Sequence, residues 1–328
     1  MSLRRLSPLA ADGRLIPLGV PWPDRMVLMQ ERGVPLLHLL LGLAVVAVWG
    51  TNFVVIKIGL DHLPSLLFAG LRFVLAVFPM IFFLKRPPVP WRHLAAYGVL
   101  IGAGQFGLMF LALRGMISPG LASLVVQVQV FFTIGLSLFL HREPVRPVHL
   151  AALLLAAAGI AVIAAHADPD WTPLGLVMVV LAALAWSGGN LVAKRGGRVN
   201  MLAYVVWSSL FAAPPLLVLS LVFEGWERIV ASLQAADAAT WGSLIWQTVG
   251  NSLFGYAAWG WLLARHPAAS ITPMALLVPV FGIGASAFFL GEPLQSWKLQ
   301  AALLVMGGLA LNMLWPWLRS LRRQPAAE

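Results

Sequence analysis

The sequence predicts an all-α integral membrane protein whose ten transmembrane helices form two inverted repeats of five. The first observation is composition: of 328 residues, 60% are hydrophobic and only 10% are charged, whereas soluble domains are about a quarter charged. The second is a series of apolar runs, most of them long enough to cross ~30 Å of hydrocarbon. The third is a residue pattern that occurs twice. We number the apolar runs as segments 1 to 10, with bounds 35–57, 65–84, 94–113, 120–140, 150–166, 174–193, 201–223, 242–263, 268–290 and 299–317.

The connections between the segments are mostly short and leave no room for a soluble domain. The longest, 224–241, is expected to lie on the surface. Residues 1–34 are basic and contain prolines, and we expect a cytoplasmic tail rather than a cleaved signal peptide, because the first apolar run is long enough to remain in the membrane. The chain has no cysteine, which excludes disulfides and thiolate metal sites.

The distribution of basic residues predicts the orientation. With the N-terminus inside, most of the 22 lysines and arginines fall on cytoplasmic connections or tails, and the outer connections carry only Arg114, Arg228 and Lys298. Cytoplasmic connections of membrane proteins are enriched in these residues. The net charge of +10 is therefore interpreted as a topology signal, and nucleic acid is not an expected partner. Both termini, including the tail 318–328, are placed in the cytoplasm.

The repeated pattern joins segments 1 and 6. Leu43–Lys57 reads LAVVAVWGTNFVVIK, and Val180–Lys194 reads VLAALAWSGGNLVAK. The stretches HLPSLLFAGLRFVLAVFP of segment 2 and RVNMLAYVVWSSLFAAPP of segment 7 correspond and both end in proline, which makes the counterpart of Arg72 about Ser208. Segments 4 and 9 end in HREP and LGEP. These parallels define repeats over 35–170 and 171–317. Because five is odd, the second repeat is inverted, as in many secondary transporters.

Together these features resemble the drug/metabolite transporter superfamily and its EamA-type exporters, over nearly the whole chain. Within that group the sequence is most similar to the YddG-type exporters of aromatic and hydrophobic amino acids. HREP departs from the pattern because it lacks the glycine of LGEP. The resemblance implies alternating access, with segments 1–4 and 6–9 around a cavity and segments 5 and 10 at the periphery.

Acidic side chains are missing from the centres of all segments. The 12 aspartates and glutamates and the seven histidines lie in connections, tails or segment ends. A pump that selects cations with a buried carboxylate is therefore not expected. Proton coupling would need a group at a helix end, and we favour a facilitator or an exchanger.

Polar and aromatic residues inside the segments are candidate cavity residues. Trp49 and Asn52 share a helix face, as do Trp186 and Asn190, and we favour a role in cradling a ring and a headgroup over a purely interhelical amide bond. For Arg72, a substrate carboxylate anchor and a structural lock on helix carbonyls remain equally open. The cavity candidates are Trp49, Thr51, Asn52, Arg72, Gln105, Met109, Gln129, Trp186, Asn190, Asn251, Tyr256 and Trp259. The candidate hinges, where proline interrupts a helix, are Pro214, Pro273 and Pro279.

The predicted function is export of small hydrophobic or aromatic amino acids, or related metabolites, across the bacterial inner membrane. The alternatives are an exchanger of phosphorylated sugars or nucleotide-sugars, which would need more cationic residues, and a pore. An intramembrane enzyme would need paired aspartates, a Ser–His pair or HExxH, and the sequence has none at membrane depth. The expected partners are a small amino-acid-like solute and the lipid bilayer. No metal or cofactor is expected, and the chain is predicted to be a monomer or a weak homodimer.

Overall fold

The computed structural model describes residues 34–141, 147–166, 168–197, 199–266 and 268–321. Over these residues the regular secondary structure is helical, with a single isolated bridge between Ile117 and Trp171. Most of the predicted N-terminal tail, the Glu143–Pro144 end of segment 4 and the last seven residues of the C-terminal tail lie outside the described residues.

Nine helices in the described part of the chain are long and apolar enough to cross a membrane, and they correspond to segments 1–7, 9 and 10. Their bounds are Leu36–Leu60, Ser65–Phe82, Trp91–Leu113, Pro119–Leu136, Pro147–Ala165, Pro173–Arg195, Met201–Phe223, Thr272–Leu290 and Ser296–Trp315. The bounds of these nine predicted segments thus differ from the bounds of the helices by only a few residues.

Helix starts follow local sequence signals. The hydroxyl of Thr172 accepts a hydrogen bond from the amide of Gly175, and Pro173 occupies the first helical position. Ser118 caps the helix of segment 4 and Asn200 caps the helix of segment 7 through the same kind of hydrogen bond. Residues with a short side-chain acceptor are favoured at this position.

Segment 8 is not among the nine helices, because its amides, hydroxyls and aromatic rings lower its mean hydropathy. It consists of an α-helix at Ala238–Ile245, a π-helical stretch at Trp246–Phe254 and an α-helix at Gly255–Arg265. Segment 3 has the same construction, with a π-helical stretch at Leu100–Gly107 between two α-helices. Stretches of π-helix are rare and occur frequently at functional sites. Segments 3 and 8 are therefore candidate positions for a functional site.

The prolines act differently from one segment to another. In segment 9, Pro273 lies in the 3₁₀ turn Thr272–Leu276, where an interruption was expected, and Pro279 follows inside the helix Leu277–Leu290. In segment 7 the expected interruption is not seen, since the helix Met201–Phe223 continues through Pro214. A membrane helix tolerates proline when neighbouring groups satisfy the freed carbonyls.

The connection 224–241 contains a short helix, Trp226–Gln234, with one buried residue, Ile229. The other residues of this helix are partly or fully exposed, including Trp226. The surface segment expected from the sequence is therefore amphipathic and ordered.

Close helix contacts depend on glycine. Segment 1 packs on segment 9 at Gly50, where an added Cβ would lie 2.5 Å from Cβ of Phe281. Segment 5 packs on segment 10 at Gly159, where an added Cβ would lie 2.6 Å from Val305. Small residues let backbones approach in this way inside membranes. Segments 5 and 10 pack mainly against each other.

Candidate functional site

A buried hydrogen-bond network connects segments 1, 2 and 8. The side-chain amide of Gln247 donates to Oδ1 of Asn52 at 2.7 Å and accepts from Nη1 of Arg72 at 3.1 Å. Nη2 of Arg72 donates to the hydroxyl of Ser252 at 2.8 Å. All four side chains are buried. The network therefore joins the two predicted repeats through polar groups at membrane depth.

The π-helical stretch of segment 8 brings Gln247 and Ser252 to the same side of the helix. The hydroxyl of Ser252 donates to the backbone carbonyl of Gln247 at 3.0 Å, five residues earlier. In an α-helix, residues five apart point about 140° away from each other. The wider turn thus allows both side chains to bind the guanidinium of Arg72.

Arg72 is a buried cation surrounded by neutral groups. Its guanidinium lies over the ring of Phe106, 3.8 Å from the centroid, and 4.9 Å from the ring centroid of Phe73. None of the described carboxylates forms an ion pair with it, and Nε has no hydrogen-bond partner in the described structure. The described hydrogen bonds of its guanidinium go to side chains of segment 8 rather than to helix carbonyls, so Arg72 also joins segments 2 and 8.

An aromatic cluster lies beside this network. The indole of Trp49 is 5.2 Å from the ring centroid of Trp259 and 6.0 Å from that of Tyr256. Its N–H donates to the carbonyl of Asn251 at 3.2 Å. Gly255 lies against the indole, where an added Cβ would overlap it. This cluster supplies large apolar surface and holds Trp49 in one orientation.

A small cavity separates Arg72 from segment 7. It is lined by the side chains of segments 2, 3, 7 and 8, including Arg72, Phe73, Tyr97, Phe106, Ser208 and Tyr256. The hydroxyls of Tyr97 and Tyr256 lie next to each other. The hydroxyl of Ser208 is buried without a hydrogen-bond partner in the described structure. The cavity thus contains unsatisfied polar atoms among aromatic rings.

The remaining amide candidates form a second group between segments 4 and 6. Nδ2 of Asn190 donates to Oε1 of Gln129 at 3.1 Å, and the hydroxyl of Ser187 donates to the Gln129 carbonyl at 2.7 Å. Trp186 is half-buried there. Asn190 therefore has the interhelical amide bond that was the alternative to cavity lining. None of the described hydrogen bonds or ring contacts links this group with the network around Arg72.

Three further candidates have simpler surroundings. The hydroxyl of Thr51 donates to Ala47, one turn earlier in its own helix, at 2.8 Å. Met109 is buried in the core. Gln105 is buried in the π-helical stretch of segment 3, and its Oε1 has no partner in the described structure.

Sequence analysis missed Gln247 and Ser252. Neither residue belongs to a repeated motif or carries a charge, so the sequence pattern does not distinguish them from other polar residues of the segment. Gln247 lies four residues before Asn251, a candidate in the same segment, and a search for all amides within the segments would have found it.

Two carboxylates at segment ends bind the starts of other helices. Glu224, after segment 7, accepts hydrogen bonds from the amides of Leu66 and Leu67 at 2.9 and 3.0 Å. Glu292, after segment 9, accepts from the amide of Gly120 at 3.1 Å and contacts Lys298 at 3.5 Å. An anion is favourable at a helix N-terminus, so each glutamate joins one predicted repeat to the other.

Comparison with solved structures shows that the fold is shared with another protein. A crystal structure of that protein, with 19% sequence identity, superposes with a TM-score of 0.59 over 86% of this chain and 97% of its own.

Comparison with curated sequences finds relatives of similar length. A probable amino-acid metabolite efflux pump of Salmonella typhimurium is 42% identical over 83% of this chain and 93% of its own. A protein of the same description from Escherichia coli K12 is 39% identical with the same coverage. The uncharacterized transporter YoaV of Bacillus subtilis is 26% identical over 82% of this chain and 94% of its own.

The sequence profile of the EamA-like transporter family matches this chain twice, at residues 36–165 and 173–314. The two matches together cover most of the chain and contain the apolar helices and the buried network. The chain is therefore a multi-pass membrane protein that belongs to the EamA-like transporter family of the drug/metabolite transporter superfamily.

Proposed function

We propose that the protein is a secondary carrier of the bacterial inner membrane that exports small hydrophobic or aromatic amino acids, or related metabolites, by alternating access. It acts as a transporter and not as an enzyme. The names of the relatives at 42% and 39% identity support amino-acid metabolites as cargo. The proposed architecture has ten transmembrane helices in two inverted repeats, 35–170 and 171–317, between cytoplasmic tails 1–34 and 318–328. The two matches of one family profile support the duplication.

The observation that carries this proposal is the buried group around Arg72. Trp49, Asn52 and Arg72 come from the first predicted repeat, and Gln247 and Tyr256 come from the second. Inverted-repeat carriers bind their cargo at such an interface, near the midplane. Aromatic rings next to amides and one cation fit a solute with an apolar side chain and a polar end.

The phosphorylated-sugar exchanger is less well supported. A phosphoryl group carries about two negative charges at neutral pH, and several cations normally converge on it. In the described part of the chain, Arg72 is the one buried cation at the network, and Lys57 and Lys194 lie near segment ends. A pore would leave the same helices in place, so a transport assay must separate it from a carrier.

The test is counterflow in proteoliposomes that contain the purified full-length protein. Vesicles are preloaded with unlabelled phenylalanine, threonine or a sugar phosphate, and labelled phenylalanine is supplied outside without an imposed proton gradient. We expect transient accumulation of the label only with phenylalanine inside. Accumulation driven by the sugar phosphate, or label equilibration without accumulation, would contradict the proposal in favour of the exchanger or the pore.

The same assay tests the cavity residues. Asn52→Ala removes a side chain of the buried group around Arg72, and Trp186→Ala removes a ring beside the second group, between segments 4 and 6, which we also propose to face the cargo. Each variant should reduce the counterflow rate about tenfold or more. Trp226→Ala is the matched control, because Trp226 is exposed on the connecting helix. Wild-type counterflow from both cavity variants, with folded protein in the membrane, would remove these residues from the site.

A further inference from the structure

We propose that Arg72 and Ser208 bind the carboxylate of the cargo and that the cargo's amino group contributes no binding. This inference rests on the proposed function and specifies its substrate class. The carrier would accept hydrophobic and aromatic monocarboxylates in general, with amino acids as one kind.

The first argument is the charge of Arg72. Its side chain is only 1% exposed, and the partners of its terminal nitrogens, Gln247 and Ser252, are neutral. Burial of a cation without an anion carries a large desolvation penalty, and intramembrane charges commonly mark substrate pathways. Since none of the described acids pairs with Arg72, an anionic cargo is the group that compensates it.

The second argument is the pair of unsatisfied donors at one cavity. Nε of Arg72 and the hydroxyl of Ser208 are both buried without a hydrogen-bond partner in the described structure, and both residues line the same cavity. Buried polar groups are rarely left unpaired. A carboxylate has two oxygens that accept from donors of these kinds.

The third argument is the relation of the two residues in sequence. Ser208 occupies in segment 7 the position that Arg72 occupies in segment 2. In an inverted repeat, corresponding residues approach each other near the pseudo-two-fold axis, where alternating-access carriers hold their cargo. The structure brings this pair to one cavity, which has room for about one water molecule and must widen to admit the cargo carboxylate.

The surroundings of the cavity provide aromatic surface for an apolar group but no described carboxylate for an ammonium ion. Phe73, Phe106 and Tyr256 present aromatic surface, while none of the described acids lies in the lining. An ammonium group brought here would lose hydration and gain no counter-charge. Removal of the amino group should therefore preserve or strengthen binding, and removal of the carboxylate should abolish it.

The primary experiment compares three molecules with the same ring: phenylalanine, 3-phenylpropionate and phenethylamine. The wild-type protein is purified, and the unfolding temperature is measured with each molecule over a concentration series. A ligand that binds the native state raises this temperature. We expect an increase with 3-phenylpropionate at least equal to that with phenylalanine, and none with phenethylamine. An equal or larger increase with phenethylamine, or none with 3-phenylpropionate, would overturn the inference.

Competition in counterflow separates this inference from the proposed function. If phenylalanine accumulates by counterflow and 3-phenylpropionate inhibits it while phenethylamine does not, both proposals stand. If counterflow is present but phenethylamine is the inhibitor, only the inference fails. If no counterflow occurs but 3-phenylpropionate still binds selectively, the proposed function fails and the carboxylate site remains.

Variants assign the binding to the two residues. Ser208→Ala should weaken 3-phenylpropionate binding about tenfold, the usual effect of losing one hydrogen bond to a charged group. Arg72→Lys retains the charge but loses the planar donor group and should weaken binding at least as much. Ser232→Ala is the matched control, because Ser232 lies on the connecting helix and its hydroxyl donates to the Ile229 carbonyl at 2.8 Å. Equal affinity of Ser208→Ala and Ser232→Ala would contradict the assignment.

Discussion

Gln247 shows how one side chain fixes the orientation of two others. Its amide nitrogen donates to Asn52 and its amide oxygen accepts from Arg72, and because Arg72 has only donors, the oxygen must face the guanidinium. Because Asn52 belongs to segment 1 and Arg72 to segment 2, this single residue of segment 8 sets the relative position of two helices. We therefore treat Gln247 as a positioning residue for the proposed site.

Gln247→Ala and Gln247→Glu should have different effects. The alanine variant leaves buried groups of Asn52 and Arg72 unpaired, at a cost of about 1–3 kcal/mol, so both stability and transport should decrease. The glutamate variant places a carboxylate beside Arg72 and should remain folded while cargo binding decreases. Thermal unfolding of the purified protein and counterflow measure the two effects.

The matched control for this pair is Gln234→Ala, at the exposed end of the connecting helix. If the glutamate variant binds 3-phenylpropionate as tightly as wild type, Arg72 is not the carboxylate partner.

The individual candidates were predictable to different degrees. Trp49 and Asn52 belong to a repeated pattern, and Arg72 is a charge within an apolar run, so their membership is visible in the sequence. Gln247 is neither part of a repeated pattern nor charged, so the sequence does not distinguish it. In the second group Asn190 binds Gln129, and the sequence could not select this partner because contacts between helices depend on their relative rotation.

At the scale of elements, hydropathy predicted the helices, and local signals could not predict their irregularities. The spans of segments 1–7, 9 and 10 match because the membrane requirement acts on each run separately. The π-helical stretches Leu100–Gly107 and Trp246–Phe254 were not predicted, since a widened turn is stabilised by its tertiary partners. Their occurrence in segments 3 and 8, which correspond in the predicted repeats, supports the duplication.

The contact between segments 4 and 9 should depend on Gly282 and not on Gly284, which lies in the same helix. An added Cβ at Gly282 would overlap Ser123 of segment 4, whereas Gly284 has open space. Gly282→Ala should therefore lower the unfolding temperature and counterflow, since overpacking typically costs about 1–3 kcal/mol. Gly284→Ala, in the same helix, should be nearly neutral. Equal unfolding temperatures of the two variants would show that the helices are not in contact at Gly282.

The contact between the start of segment 1 and the end of segment 8 should depend on pH. Nδ1 of His38 and Nε2 of His266 are 2.7 Å apart, a hydrogen bond that requires one neutral acceptor nitrogen. Burial, followed by His38 and Arg265, lowers the pKa of His266 below its usual value of 6.5. A lowered histidine pKa means that this contribution to stability is present above pH 6.5 and is lost as the pH falls below it.

This pH dependence is measured by thermal unfolding. The wild-type unfolding temperature should decrease between pH 7 and about 5, and His266→Gln, which does not titrate in this range, should show a smaller decrease. Identical profiles would exclude His266 as the origin.

At the scale of the whole molecule, the two predicted repeats are joined at one end by carboxylates. Glu224 and Glu292 each extend from the end of a segment in the second repeat to the start of a helix in the first. In the predicted orientation both lie at the outer face. Alternating access requires that one end of the carrier separate while the other stays closed. These contacts should therefore stabilise the state that is closed to the outside.

Glu292→Gln should shift the carrier towards an opening at this end, because a neutral amide caps a helix less well and loses its attraction to Lys298. The chain has no cysteine, so Ser123→Cys provides a single label site, buried between segments 4 and 9. We expect Glu292→Gln to increase the rate of maleimide labelling several-fold. Glu227→Gln, an exposed carboxylate on the connecting helix, should leave the rate unchanged. Labelling at the wild-type rate in Glu292→Gln would mean that other contacts close this end, and the carboxylate caps would then contribute to folding rather than to the transport cycle.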